Sequence, residues 1–201
     1  MNNRTDIHKY IDHFAQIVSL CVSAKYNLNA ITEILSRSQL VSDIEENEYS
    51  LMYEYTPYQN FKTIFPDAIV QDNSYQNFND AYWCGFVYIN IMYEYKKPLT
   101  YIFYIMPLEL LLDLYPVYHE MDISQIYERF EKEEQQESLL SRLLRSKNIS
   151  ATQLASKAKV PVKTIYHYKD DNKYLYKASF QTIMKLARAL DVNPSVFLES
   201  L

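Results

Sequence analysis

Chemistry in a protein chain needs particular side chains at particular spacings, and few places in this sequence offer them. His119, Glu120 and Asp122 fall together in "YHEMD", and His8 and His13 lie five residues apart. Zinc hydrolases carry two histidines at i and i+4 of one helix with a glutamate between them; that spacing is absent. A histidine beside a carboxylate reads here as a helix-end ion pair. Cys21 and Cys84 stand alone, so neither a disulfide framework nor a metal pair is expected. Gly85 is the sole glycine, and loops that cradle phosphates need several so that backbone amides can approach the ligand. No catalytic constellation, metal site or cofactor is expected, and the chain does not read as an enzyme.

The other chemistry on offer is charge. "QLASKAKVPVKTIYHYK", Gln153 to Lys169, carries Lys157, Lys159, Lys163 and Lys169 without an acidic residue, although the whole chain has a net charge of −5. Residues 1–137 hold 9 Lys+Arg against 21 Asp+Glu, a net of −12, and residues 138–201 hold 11 against 4, a net of +7. A basic module joined to a larger acidic one points to nucleic acid as the partner of the basic part.

These lysines are positioned by short helices. Leu139, Leu140, Leu143 and Leu144 share one helical face, and Lys147 and Asn148 end that helix. Ser150 is a good N-cap for a second helix bearing Leu154, Ala155 and Ala158. Pro161 suits the first turn of a third, where its missing N–H costs nothing. Ile165 then faces inward with Val160 and Tyr168 nearby, and Val162, Lys163, Tyr166 and His167 face outward. Ser179 caps a fourth helix with Ile183, Leu186, Ala187 and Leu190 inside, and Asn193-Pro194 begins a fifth.

The strings "ISATQLASKAKVPVKTIYHY" and "SFQTIMKLARALDVNPSVFL" closely resemble the helix-turn-helix domain of the Cro/C1 repressor type, the XRE family. The resemblance covers about the last third of the chain. It implies that the helix from Pro161 to Tyr168 is the recognition helix, with Val162, Lys163, Tyr166 and His167 at base-contacting positions. Lysine can donate to guanine O6 and N7, and valine can touch a thymine methyl. The family's phosphate-binding places match Ser150 and Thr152, and Lys169, Lys173 and Lys177 in the loop after the recognition helix. Four departures stand out. Lys159 occupies the turn where the family has glycine, and Ala151 replaces a polar opener of the second helix. Pro161 replaces a Ser or Thr cap, and "KDDNKYLYKAS" is about three residues longer than usual.

The first two-thirds also read as helical. An amphipathic helix over 5–26 carries Ile7, Tyr10, Ile11, Phe14, Ile17, Val18, Cys21 and Val22 on one stripe. Further pieces are expected from Asn29 and around Leu40 to Ile44. Pro57 and Pro66 act as stops in an irregular stretch, and a small strand pair is an option in 49–75. A helix resumes from Asp80 to Glu94. Short helices follow from Thr100 to Ile105, Leu108 to Tyr115 and Val117 to Met121, divided by Pro107 and Pro116. Asp122 caps a helix running through Ile126 and Phe130 toward Leu139. The segment "YWCGFVYINIMYEYKKPLTYIFYIMPLELLLDLYPVYHEMDISQ" is similar to regions preceding Cro/C1-type domains in low-GC bacteria, some of which are read as antitoxins.

The fold class is thus mainly α, in three parts. An acidic helical partner-binding or dimerisation domain spans 1–130, a charged helical linker 131–137 and a five-helix helix-turn-helix domain 138–201. The expected partners are double-stranded DNA at a palindromic operator, a second copy of the chain, and a cognate toxin bound through the N-terminal domain. The function this implies is a sequence-specific repressor acting as an autoregulating antitoxin. The alternative is a phage or mobile-element repressor whose N-terminal domain senses a ligand or peptide. The polar start "MNNRTDIHKY" has no signal-peptide core, and the most apolar run is interrupted by Pro107, Glu109 and Asp113. A cytoplasmic protein without a membrane partner is expected.

Overall fold

Burying an apolar stripe requires a partner helix, and the longest stripe finds the longest partner. Helix α1 (Asn3–Ser23) packs along α6 (Phe78–Tyr95), with Tyr10, Ile11, Phe14, Ile17, Val18 and Cys21 all buried. The sole glycine sits at this crossing. A Cβ on Gly85 would lie 2.5 Å from the Ala15 Cα, closer than any real contact. The computed structural model describes residues 3–46, 48, 50–70 and 78–198; the Ile7 side chain, assigned above to the stripe, lies outside what is described.

Side-chain caps start the next helices. Asn27, Ser38 and Thr56 accept backbone N–H bonds at the heads of α2 (Leu28–Leu35), α3 (Gln39–Glu45) and α5 (Pro57–Ile64), and α4 (Ser50–Glu54) lies between the last two. Two expectations are corrected here. Pro57 does not stop a helix but opens one, because the first turn needs no N–H from it and Thr56 forms a capping box with Gln59. Residues 50–70 contain helices where a strand pair was an option, and 71–75 lie outside the described residues.

Proline acts differently at positions 107 and 116. Pro107 breaks the chain between α7 (Leu99–Ile105) and α8 (Leu108–Tyr118), which meet at a bend of 74°. Pro116, expected to divide two helices, lies inside α8, which continues to Tyr118. It falls near the helix end, where losing one hydrogen bond matters least. Asp122 caps α9 (Ile123–Gln136), and the chain then turns extended at Glu137. No single described helix is long and apolar enough to cross a membrane.

Ser138 restarts the chain as α10 (Leu139–Ser146), whose leucines enter the core. The buried Arg142 straps the break. Its guanidinium donates to the carbonyls of Glu133, Ile105 and Glu137 and lies 3.7 Å from the Glu133 carboxylate. Such a group is stable only when its donors are satisfied, as here. Helices α11 (Ala151–Ala158), α12 (Val162–Asp170), α13 (Asn172–Tyr176) and α14 (Phe180–Leu190) follow, then a 3-10 turn, Pro194–Phe197. This is the expected mainly α fold, N-terminal helices followed by a C-terminal helix-turn-helix domain. The additional α13 fills the long loop, and the fifth helix is a single tight turn.

The two parts are joined by polar contacts as well as by packing. Arg37 donates to the Asp191 carboxylate at 2.7 Å and to its carbonyl at 3.0 Å. The Asn193 amide donates to the Ser36 carbonyl at 3.1 Å, and Lys147 reaches Glu33 at 2.8 Å. Deeper in, the buried Glu45 carboxylate accepts from the Thr100 N–H at 2.9 Å and from its hydroxyl at 3.0 Å. The Thr100 hydroxyl also lies 2.8 Å from that of Ser195, in the final 3-10 turn.

Candidate nucleic-acid interface

The helix-turn-helix unit is α11, the turn at Lys159 and Val160, and α12. Ser150 accepts from the Gln153 N–H at 3.2 Å, and the Gln153 side chain accepts from the Ser150 N–H at 2.7 Å. This capping box satisfies two orphan donors reciprocally and occupies both side chains. Lys159 adopts φ 54° and ψ 45°, the left-handed conformation that glycine normally supplies. A lysine there costs about 1–2 kcal/mol. Pro161 serves as the N-cap of α12 and makes no side-chain cap bond, so Val162, rather than Pro161, is the first helical residue.

Only one residue of α12, Ile165, is fully buried. Val162, Lys163, Tyr166 and His167 fall on the opposite face, all exposed. Val162 is 41% accessible and Tyr166 49%. The His167 ring meets Tyr174 of α13 edge to face, with centroids 5.8 Å apart. The longer loop thereby braces the end of the exposed face. Asp171 caps α13 by accepting from the Lys173 N–H at 2.8 Å.

The residues at expected phosphate positions separate into two places. Ser150 and Thr152 are exposed at the head of α11, with their hydroxyls 2.9 Å apart. Lys173 and Lys177 line a groove of about 560 Å³ against the N-terminal part, facing Lys97 and Glu134. Lys169 is half-buried. Lys97 lies over the Tyr101 and Tyr176 rings, 5.2 and 5.4 Å from their centroids. Lys173 and Lys177 thus share their groove with another cation, Lys97, and with an acid from α9, Glu134.

Residues 140–199 match the family model of the Cro/C1-type HTH DNA-binding domain. The C-terminal domain is of the Cro/C1 type. No curated protein and no solved structure matches the chain. The Cro/C1-type domain assigns DNA binding and transcription regulation to this part of the molecule.

Sequence reasoning missed a second cationic surface on the Cro/C1-type domain. Lys157, Lys159, Lys185 and Arg188 line a groove of about 250 Å³ with Ala158 and Ala189, where α11 meets α14. Lys185 and Arg188, at i and i+3 on the outer side of α14, were the available signal.

The histidines and cysteines do not converge. His119 closes α8, stacked on Tyr115 and 3.6 Å from Glu120. His13 is buried and hydrogen-bonded to Asn60 at 2.9 Å. Cys21 and Cys84 are buried free thiols whose pKa burial raises. No group of three His, Cys, Asp or Glu among the described residues has metal-binding geometry.

Proposed function

We propose that this protein is a sequence-specific repressor that binds a palindromic operator as a homodimer, and the antitoxin of a pair whose operon it represses. The carrying observation is the outward face of α12. Val162, Lys163, Tyr166 and His167 are all exposed there, on a domain matching a DNA-binding family. The net −12 of residues 1–137 supports a basic partner such as a toxin for the N-terminal domain. The proposed division gives residues 1–130 to that partner, 131–137 to a linker and 138–201 to DNA. Ser150, Thr152, Lys169, Lys173 and Lys177 are the proposed phosphate contacts.

Fluorescence anisotropy on the DNA upstream of its own gene, against a scrambled duplex at physiological salt, tests the first half. A preference of about a hundredfold or more supports a specific regulator, and equal weak binding overturns it. Co-expression with the adjacent gene product tests the second half: co-purification and rescued growth support the antitoxin role.

A second reading, a repressor whose N-terminal domain senses a ligand or peptide, draws on one cavity. A recess of about 510 Å³ is lined by Ile34, Leu40, Leu51 and Ile64, with Arg37 and Asn60 among its polar groups. Its size and mostly apolar walls suit a small molecule. Arg37 also holds Asp191 of the Cro/C1-type domain, so an occupant would adjoin the domain contact.

A further inference from the structure

We propose that Lys157, Lys159, Lys185 and Arg188 form a second DNA-backbone site that extends the footprint beyond the recognition surface onto duplex flanking each half-site. The inference rests on the DNA-binding reading above and deepens it.

The first support is charge without compensation. None of the four cations has an ion-pair partner among the described residues, although Arg37, Arg142, Arg145 and Lys147 elsewhere all do. The nearest acid along the chain, Asp191, is held by Arg37. Four like charges around one groove repel one another, and a polyanion relieves that repulsion.

Two of the four have a local explanation. Lys157 and Arg188 sit in the last turns of α11 and α14, where a cation complements the helix dipole. Lys159 and Lys185 do not. Lys159 occupies a left-handed position that a glycine would fill without strain. Lys185 lies mid-helix, with no acidic neighbour to bind.

The occupant is nucleic acid rather than an acidic protein because the groove offers charge and little else. Its apolar lining is Ala158, which is buried, and Ala189. The exposed large apolar residues of this domain, Val162, Tyr166, Tyr174, Phe180 and Leu198, are not among its lining residues. Protein interfaces are anchored by buried aromatic or aliphatic side chains, whereas phosphate binding needs only cations that displace counterions. The groove also adjoins the reading surface, because Lys159 lies three residues before Val162.

The test compares the full-length protein with the variant Lys159→Gly/Lys185→Gln/Arg188→Gln. The ligands are the native upstream duplex, the same duplex trimmed to the operator, and a scrambled duplex, over a salt series. The expected result is that the wild type prefers the longer duplex to the trimmed one and that the variant loses this preference. Its salt slope should fall by roughly 2–3, about 0.9 for each phosphate contact, with native-over-scrambled selectivity unchanged. Its thermal midpoint should not fall, because Lys159→Gly removes strain, so lost affinity cannot be ascribed to unfolding. A wild-type slope and wild-type length preference in the variant overturn the site. If the slope is unchanged but a co-purifying acidic protein is lost, the groove belongs to a protein partner and the DNA assignment falls. Failure of the wild type to prefer native over scrambled DNA sinks the repressor reading itself, while the slope still reports on the groove.

Discussion

Replacing Thr100 by valine tests whether the two parts of the chain are held by the contact the structure shows. The side chain is fully buried, and its hydroxyl faces the Glu45 carboxylate at 3.0 Å and the Ser195 hydroxyl at 2.8 Å. Valine keeps the shape and deletes both bonds. The bond to the Glu45 carboxylate is worth about 1.5–3 kcal/mol net and the bond to Ser195 about 0.5–1.5 kcal/mol, so Thr100→Val should cost about 2–4.5 kcal/mol. Ser195→Ala removes the hydroxyl–hydroxyl bond to Thr100 and should cost about 0.5–1.5 kcal/mol. The double variant should cost less than the sum by about 1 kcal/mol, because the Thr100–Ser195 bond is then counted once. Urea denaturation of the four proteins measures this cycle. The m-values must agree, since a change in slope would signal that the two parts unfold separately. Additivity within about 0.3–0.5 kcal/mol would show that the residues do not interact, and the docked arrangement would be wrong.

Gly85→Ala sets two effects against each other. The gain in helix propensity is about 1 kcal/mol, but the new methyl meets the Ala15 backbone at 2.5 Å, which no side-chain rotation relieves. Overpacking costs about 1–3 kcal/mol or more, so chemical denaturation should find the variant destabilised, and a neutral result would refute the close crossing. Burial raises the pKa of Glu45 above its ordinary value of 4.5, so the folded chain holds that proton more tightly than the unfolded one. Stability from this group therefore falls as pH rises above about 4.5, and Glu45→Gln should gain on the wild type between pH 4.5 and 7 in paired urea melts. On DNA, Lys163→Ala should lose about 1–3 kcal/mol and relax sequence preference, whereas Lys173→Ala should weaken all sequences alike and flatten the salt dependence by about one unit. Anisotropy on native and scrambled duplexes separates the two.

Much of the fold was legible because periodicity and caps are local. Asn29 to Leu35, Leu40 to Ile44, and the helices headed by Asp122, Ser150 and Ser179 all lie close to where their side chains predict. Proline misled in both directions. Pro57 and Pro116 have the same chemistry as Pro107, but Pro57 heads a helix, Pro116 sits near the end of one, and only Pro107 stands at a break. That distinction depends on register, which neighbouring packing sets. The break at Glu137 was invisible for a related reason. "EKEEQQESLL" is all helix-compatible, and what secures the interruption is Arg142 gathering carbonyls from three separate positions. In α12 the single inward residue Ile165 fixes the rotation, so which of its side chains are exposed was readable. The cationic groove was not, because it joins the end of one helix to the side of another 28 residues on.

The polar ties between the domains bear on how an operator would be measured. Arg37, Ser36 and Thr100 hold Asp191, Asn193 and Ser195, so α12 has a set direction relative to the N-terminal helices instead of swinging on a tether. In the proposed dimer, two such subunits would present their recognition helices at one separation and one angle, like the jaws of a caliper. Palindromic half-sites one helical turn apart, about 34–36 Å, would then be accepted only at that pitch. Inserting half a turn of DNA between them would place the second half-site on the far side of the duplex, out of reach of a rigid pair.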